Sequence, residues 1–211
     1  MAGIAGGKNY HHGDLRNALV CAAVGLAAEG GPERVVLREA ARRVGVSPTA
    51  AYRHFDGRGE LLRTVRAHAR ARLAEAMERA AAREPGADDP ALAAERRLAA
   101  LCRGYVGFAV EHPGLYRAAF GAVRPAAEEC PLGAPVPPEP EARAFTLLRE
   151  ALEALDRTGG RRSAAGAAAW SAVHGLSLLL LEGPLRRLSA QRRADVVETT
   201  LAMVVSGARP R

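Results

Sequence analysis

Residues 44–62, VGVSPTAAYRHFDGRGELL, set a glycine, a Ser-Pro pair and a basic stretch between two helical patterns. The spacing constrains the fold more than any other feature of the chain. Residues 36–44 read as a short helix with Leu37, Ala41 and Val44 inward. Gly45 breaks it, because a left-handed backbone is cheap only there. Ser47 is placed to cap the next helix, and Pro48 is pre-organised for its first turn. That helix is expected to run to about Phe55. The product is a helix-turn-helix whose second helix projects polar side chains of a size suited to the major groove of B-DNA.

The side chains match that use. Thr49 lies near the exposed start of the helix, Arg53 is one turn on, and Tyr52 and His54 offer hydrogen bonds to phosphate. Arg58 opens the following helix, where a guanidinium and a helix N-terminus both favour an anion. The charge is distributed accordingly. The 211-residue chain carries a net +7, with 11 basic against 6 acidic residues in 1–70. Charge alone is weak support, because every basic residue except Lys8 is arginine, as GC-rich coding sequence would give.

The remaining chain reads as helical throughout. Aromatics make up only 4% of it, and alanine, leucine, arginine and glutamate dominate. A helix from Asp14 to Gly30 precedes the motif, with Leu15, Leu19, Ala22, Ala23 and Leu26 as its stripe. Residues 1–13 are expected to form a flexible arm in which Lys8, with Arg16 nearby, can reach phosphate. After the motif, helices are expected at about 58–83, 91–112, 115–120, 141–157, 163–182 and 189–206. A long loop with six prolines falls at 124–140. The expectation is an all-α fold of about nine helices. A three-helix head covers residues 1–60 and a larger helical body covers 61–211.

The order of these segments, with LREAARRVGVSPTAAYRHFDGRGELL at its centre, resembles the TetR family of bacterial transcriptional regulators. The likeness is specific over residues 12–66. It implies a DNA-binding head, a ligand-binding and dimerising body, and a homodimer on a palindromic operator of double-stranded DNA. By it, Ser47, Pro48, Thr49, Ala50, Tyr52, Arg53, His54 and Arg58 face DNA. Three departures stand out. Val36 replaces the usual Ser or Thr cap, Ala51 replaces a larger aliphatic residue, and Arg58 replaces lysine.

A second stretch, AWSAVHGLSLLLLEGPL at 169–185, is similar to the body of a TetR subgroup named for its Trp-His-Gly signature, matched here by Trp170, His174 and Gly175. Trp170 and His174 share a helix face. They fit either a packed core pair or the wall of a pocket. Tyr105, Phe108 and His112 recur along one helix, and Tyr116 and Phe120 along the next. These seven residues are the candidate pocket for an unidentified, largely apolar small-molecule effector. Leu178, Leu181, Val197, Leu201 and Val204, on the last two helices, are the candidate dimer interface.

Other chemistry is not written in the chain. Cys21, Cys102 and Cys130 form no disulfide or metal pattern. His11-His12 lacks a third ligand nearby, so no metal is expected, and no cofactor. No phosphate loop, nucleophile elbow or carboxylate pair appears, so no enzyme is expected. There is no leader pattern, and the uncharged run 163–181 has small and polar positions that favour a buried helix over a membrane span. A cytoplasmic protein is expected. The expected function is a ligand-released repressor. Its rivals are a DNA-binding protein controlled by a protein partner or by abundance, and an enzyme with His174 as base.

Overall fold

A computed structural model describes residues 12–121, 143–155 and 162–208. The arm up to residue 11, the proline-rich loop and Cys130 lie outside the described residues. Nine α-helices and no strands occur among the described residues: α1 (His12–Gly30), α2 (Leu37–Val44), α3 (Pro48–Tyr52), α4 (Arg58–Ala82), α5 (Pro90–Glu111), α6 (Pro113–Phe120), α7 (Arg143–Leu155), α8 (Arg162–Leu181) and α9 (Ala190–Ala208). Single 3₁₀ turns at Pro32–Arg34 and Pro184–Arg187 were not legible in the sequence.

Helix α1 begins two residues before the expected start, so Asp14 lies inside its first turn. Its apolar stripe buries Leu19, Ala23, Leu26 and Ala27. Helix α3 is shorter than expected. Regular winding ends at Tyr52, and Arg53, His54 and Phe55 close the end by donating their amides to Ala50 and Ala51. The Phe55 ring then turns inward and is 1% exposed.

Helix α4 is the spine. Its buried face, from Leu61 to Met77, packs on α1 below and on α5, α6 and α7 above. Helix α5 crosses it closely. A Cβ at Gly104 would press into the backbone of Ala76 and Met77. Helices α8 and α9 pack on α5 from the other side. One continuous apolar core runs from Leu19 in α1 to Leu201 in α9. Head and body are therefore packed together rather than strung on a linker.

Besides α1 against α4, head and body meet where α6 lies on the end of α1. A Cβ at Gly114 would fall on the carbonyl oxygens of Ala27 and Ala28. From the spine, Arg66 donates to the Gly121 carbonyl at 2.8 Å and Arg70 to the Ala119 carbonyl at 3.0 Å. These two arginines, one turn apart on α4, satisfy carbonyls that the end of α6 leaves open.

No described helix is long and apolar enough to cross a membrane. In α8 the hydroxyls of Ser171 and Ser177 bond back to the Ala167 and Val173 carbonyls, each at 2.7 Å. No group of three or more metal-ligating side chains occurs among the described residues.

Candidate DNA-binding surface and aromatic core

Gly45 ends α2 with φ of 79°, and the Val46 amide reaches back to the Ala41 carbonyl at 3.0 Å. This is a glycine C-cap with a six-to-one bond, which turns the chain sharply. Ser47 then adopts an extended backbone, and its hydroxyl accepts from the Ala50 amide at 3.2 Å. Pro48 follows as the first helical residue. Val36 makes no side-chain cap and is 42% exposed. Ala51 is fully buried and anchors the inner face of α3.

The outer face is left to Ser47, Pro48, Thr49, Tyr52 and Arg53, all exposed, while Ala50 and His54 are half-buried. Thr49, Tyr52 and Arg53 have no side-chain hydrogen bond or ion pair with a described residue. Several neighbouring arginines are paired within the head, while Arg38 of α2 is exposed and unpaired among the described residues. Arg43 clasps Glu29 with two hydrogen bonds, of 2.7 and 2.6 Å, and ties α2 to α1. Arg42 clasps Glu39. Arg16 lies 4.7 Å over the Phe55 ring and 3.4 Å from Glu60. The arginine pairings hold the Glu29 and Glu39 carboxyls below their ordinary range.

Arg58 is also engaged. Its Nε donates to the Val35 carbonyl at 2.9 Å and its Nη2 to the Pro32 carbonyl at 2.8 Å. The guanidinium thus ties the start of α4 to the turn before α2. Glu60 completes this corner by accepting from the Asp56 amide at 2.8 Å, which ties the turn before α4 to its first turn.

In the body, five of the seven expected pocket residues converge. Tyr105 from α5, Tyr116 and Phe120 from α6, and Trp170 and His174 from α8 form one ring cluster. Trp170 and His174 lie parallel, 5.8 Å apart at 10°. Phe145 of α7, which the sequence pattern did not mark, meets Trp170 edge-on. Phe108 and His112 instead pair with each other at 5.2 Å, and His112 is exposed. Seven residues carry His112 about 10 Å along α5 from Tyr105, to the corner where α6 starts.

Both tyrosine hydroxyls reach the same atom. Tyr105 lies 2.8 Å and Tyr116 2.9 Å from His174 Nδ1, and the two hydroxyls are 3.4 Å apart. Burial lowers the His174 pKa, so the ring is neutral. Burial raises both tyrosine pKa values, that of Tyr116 to about 12. Each hydroxyl can donate and accept, so the two tyrosines and the imidazole close one hydrogen-bonded triangle. Ser177, the only buried polar residue among the described residues, sits one helical turn below. Nothing in the sequence pattern singled it out.

Two hollows open elsewhere. An apolar hollow of about 280 Å³ opens between α7, α8 and α9 beside Ala168, Ala172 and Met203. A groove of about 470 Å³ runs between α5 and α9. Neither is lined by a residue of the ring cluster. Among the expected dimer residues, Leu178 is 41% exposed, and Leu181, Val197 and Val204 are half-buried. Leu201 is buried within its own chain. Leu179 and Met203 are also exposed, Met203 the most among large apolar residues at 71%.

This architecture has relatives. The model for "Bacterial regulatory proteins, tetR family" matches residues 19–65, and that for "Tetracyclin repressor-like, C-terminal domain" matches residues 98–204. The chain belongs to the TetR family of transcriptional regulators. Its helix-turn-helix head is the family's DNA-binding domain. A protein of unknown function from Rhodococcus sp. RHA1 is similar in structure with a TM-score of 0.72 and 27% identity, over 95% of this chain and 98% of that one. A TetR-family transcriptional regulator from Streptomyces coelicolor gives 0.60 and 20%, over 93% and 88%. The TetR-family regulator PfmR from Thermus thermophilus gives 0.53 and 20%, over 89% and 97%. No curated protein matches the sequence.

Proposed function

We propose that this regulator is a homodimeric repressor that binds a palindromic operator and is released by a small, largely apolar effector. The observation that carries the reading is the outer face of α3. Thr49, Tyr52 and Arg53 stand exposed on a short helix that is capped by Ser47 and anchored by Ala51, while Arg43 and Arg58 nearby are tied down. Arg53 reads a base edge and Thr49 a base edge or phosphate. Ser47, Tyr52 and His54 position the head on the backbone, with Pro48 and Ala50 packed against it. Arg58 braces the α4 start through two of its donors and offers the others to phosphate.

The division of labour follows a boundary near residue 60. Leu178, Leu181, Val197 and Val204, with Leu179 and Met203, form the face on which a second copy sits, and Leu201 supports it from beneath. In the dimer the recognition helices lie about 34–36 Å apart, one turn of DNA. The effector enters the body at the ring cluster and competes with Tyr105 and Tyr116 for His174. The likeness to the Trp-His-Gly subgroup supports this choice. Movement of α6 then bears on α1 through Gly114 and on α4 through Arg66 and Arg70. A ligand needs only different affinity for the two arrangements.

The close packing of the ring cluster favours one second reading, a DNA-binding protein without an effector, controlled by a partner or by abundance. Selection of bound sequences from random duplex DNA by the purified protein tests the main reading. A palindromic consensus is expected, and Arg53→Ala should blur it. Equal loss on operator and random DNA for Arg53→Ala contradicts the base-reading role. A screen with the selected operator then separates the two readings: no small molecule releasing it would favour the second.

A further inference from the structure

The corner between α8 and α9, EGPLRRLSAQRR at 182–193, holds Arg186, Arg187, Arg192 and Arg193 within eight residues. The first three are exposed and Arg193 is half-buried. None makes an ion pair or side-chain hydrogen bond with a described residue, and the Nε of Arg193 is buried without a partner. Arg103 pairs with Glu198 and Arg143 with Glu78, while Arg72, Arg83 and Arg97 stand singly; the corner differs in gathering four such arginines within eight residues. The nearby Asp195 is occupied by Gln191 at 3.0 Å.

The placement opposes local stability. Arg192 and Arg193 lie in the first turn of α9, which has no acidic residue. That turn carries the positive end of the helix dipole, where cations are unfavourable and anions favoured. A local rule broken without compensation inside the chain points to a partner.

Position in the fold says which partner. Helix α8 runs antiparallel to α4. Gly166 lies against Phe145, near the Arg143–Glu78 pair, whereas His174 lies against Phe120, beside Arg70. Eight residues along α8 thus match eight residues back along α4, toward Arg58 and the head. Continuing the same path brings the corner to the head end of the body. Helix α9 then leads away, with Ser206 beside Leu92 at the far end of α5.

We propose that these four arginines are a second DNA contact, made by the body to the phosphate backbone. The proposal rests on the DNA-binding reading above. With α8 and α9 at the dimer face, the two corners meet near the two-fold axis, over the centre of the operator. They would add affinity without sequence information, because phosphate is the same at every step.

The test is operator binding by the full chain as a function of salt, for the wild type and for R186Q/R187Q/R192Q/R193Q. The slope of log K against log salt should become shallower by about 0.9 for each phosphate that the variant no longer neutralises. Affinity should fall by the same factor on operator and random duplex, with the selected consensus unchanged. An unchanged slope and affinity overturn the proposal, and so does a changed consensus. If the fourfold variant fails to fold, R186Q/R187Q alone, in the exposed turn, should give a smaller shift of the same sign. Should the wild type select no sequence, the repressor reading fails, while a slope that still drops in the variant keeps the arginines as a phosphate contact. A wild type that binds no duplex at all removes both.

Discussion

At His174 burial among the rings gives a pH dependence of defined sign. Burial depresses the folded pKa below the ordinary 6.5. The unfolded chain therefore takes up the proton first as pH falls. The contribution to stability is present above about pH 6.5 and is lost as pH falls through the folded value. Urea midpoints measured from about pH 7.5 down to pH 5 should decline in the wild type and decline less in His174→Gln; parallel curves for the two would contradict this. Arg58 and Arg53 make an opposed pair on the head. Arg58→Ala leaves the Val35 carbonyl without its donor, while Pro32 keeps the Val35 amide, and should cost about 1–3 kcal/mol of stability. Arg53→Ala breaks no contact among the described residues, so its melting temperature should match the wild type. A stable Arg58→Ala would place that guanidinium outside the bracing of the head.

Among the elements, α2 starts without a side-chain cap. Its first turn has Val36 where a hydroxyl would accept an amide, although the backbone there, φ of −127° and ψ of 126°, is already that of a cap. Val36→Thr should raise stability by about 0.5–2 kcal/mol, read from the shift of the urea midpoint. At its other end Gly45 is left-handed in open space, so no side chain would clash there. Gly45→Ala should still cost about 1–2 kcal/mol from the backbone conformation alone. Helix α6 is limited by room instead of conformation. Gly114→Ala would drive a methyl into the end of α1 and should loosen head from body, seen as faster amide exchange in α1 with α8 unaffected.

For the whole molecule, the continuous core from Leu19 to Leu201 predicts a single unfolding transition in calorimetry, with no separate melting of the head. The exposed Leu178, Leu179 and Met203 predict a concentration-dependent melting temperature, because a second copy stabilises the folded state by mass action. Leu178→Glu with Met203→Glu should give a monomer in sedimentation equilibrium and abolish operator binding. A dimer that survives both substitutions would move the interface off this face.

The turn of the head was legible residue by residue, while the 3₁₀ turn at Pro32–Arg34 and the early end of α3 were not. The legible turn is fixed by neighbours in the chain: a glycine where φ must be positive, a serine two residues on, an alanine that must face inward. The body was legible only as helices with apolar faces. Periodicity grouped Tyr105, Phe108 and His112 on one helix and put its end at His112, but could not tell that this end lies away from the ring cluster. It named Trp170 and His174 as neighbours yet gave no sign of Phe145, which joins them from α7. It placed Arg58 at a helix start without revealing the Val35 and Pro32 carbonyls 23 and 26 residues earlier. It read Leu201 as part of the dimer face, where packing against α5 and the core consumes it. Local backbone rules are short-ranged and survive in the sequence. Which faces of distant helices meet, and which side chains their meeting uses up, depends on crossing angles and on the space at Gly104 and Gly114, and those exist only once the helices have packed.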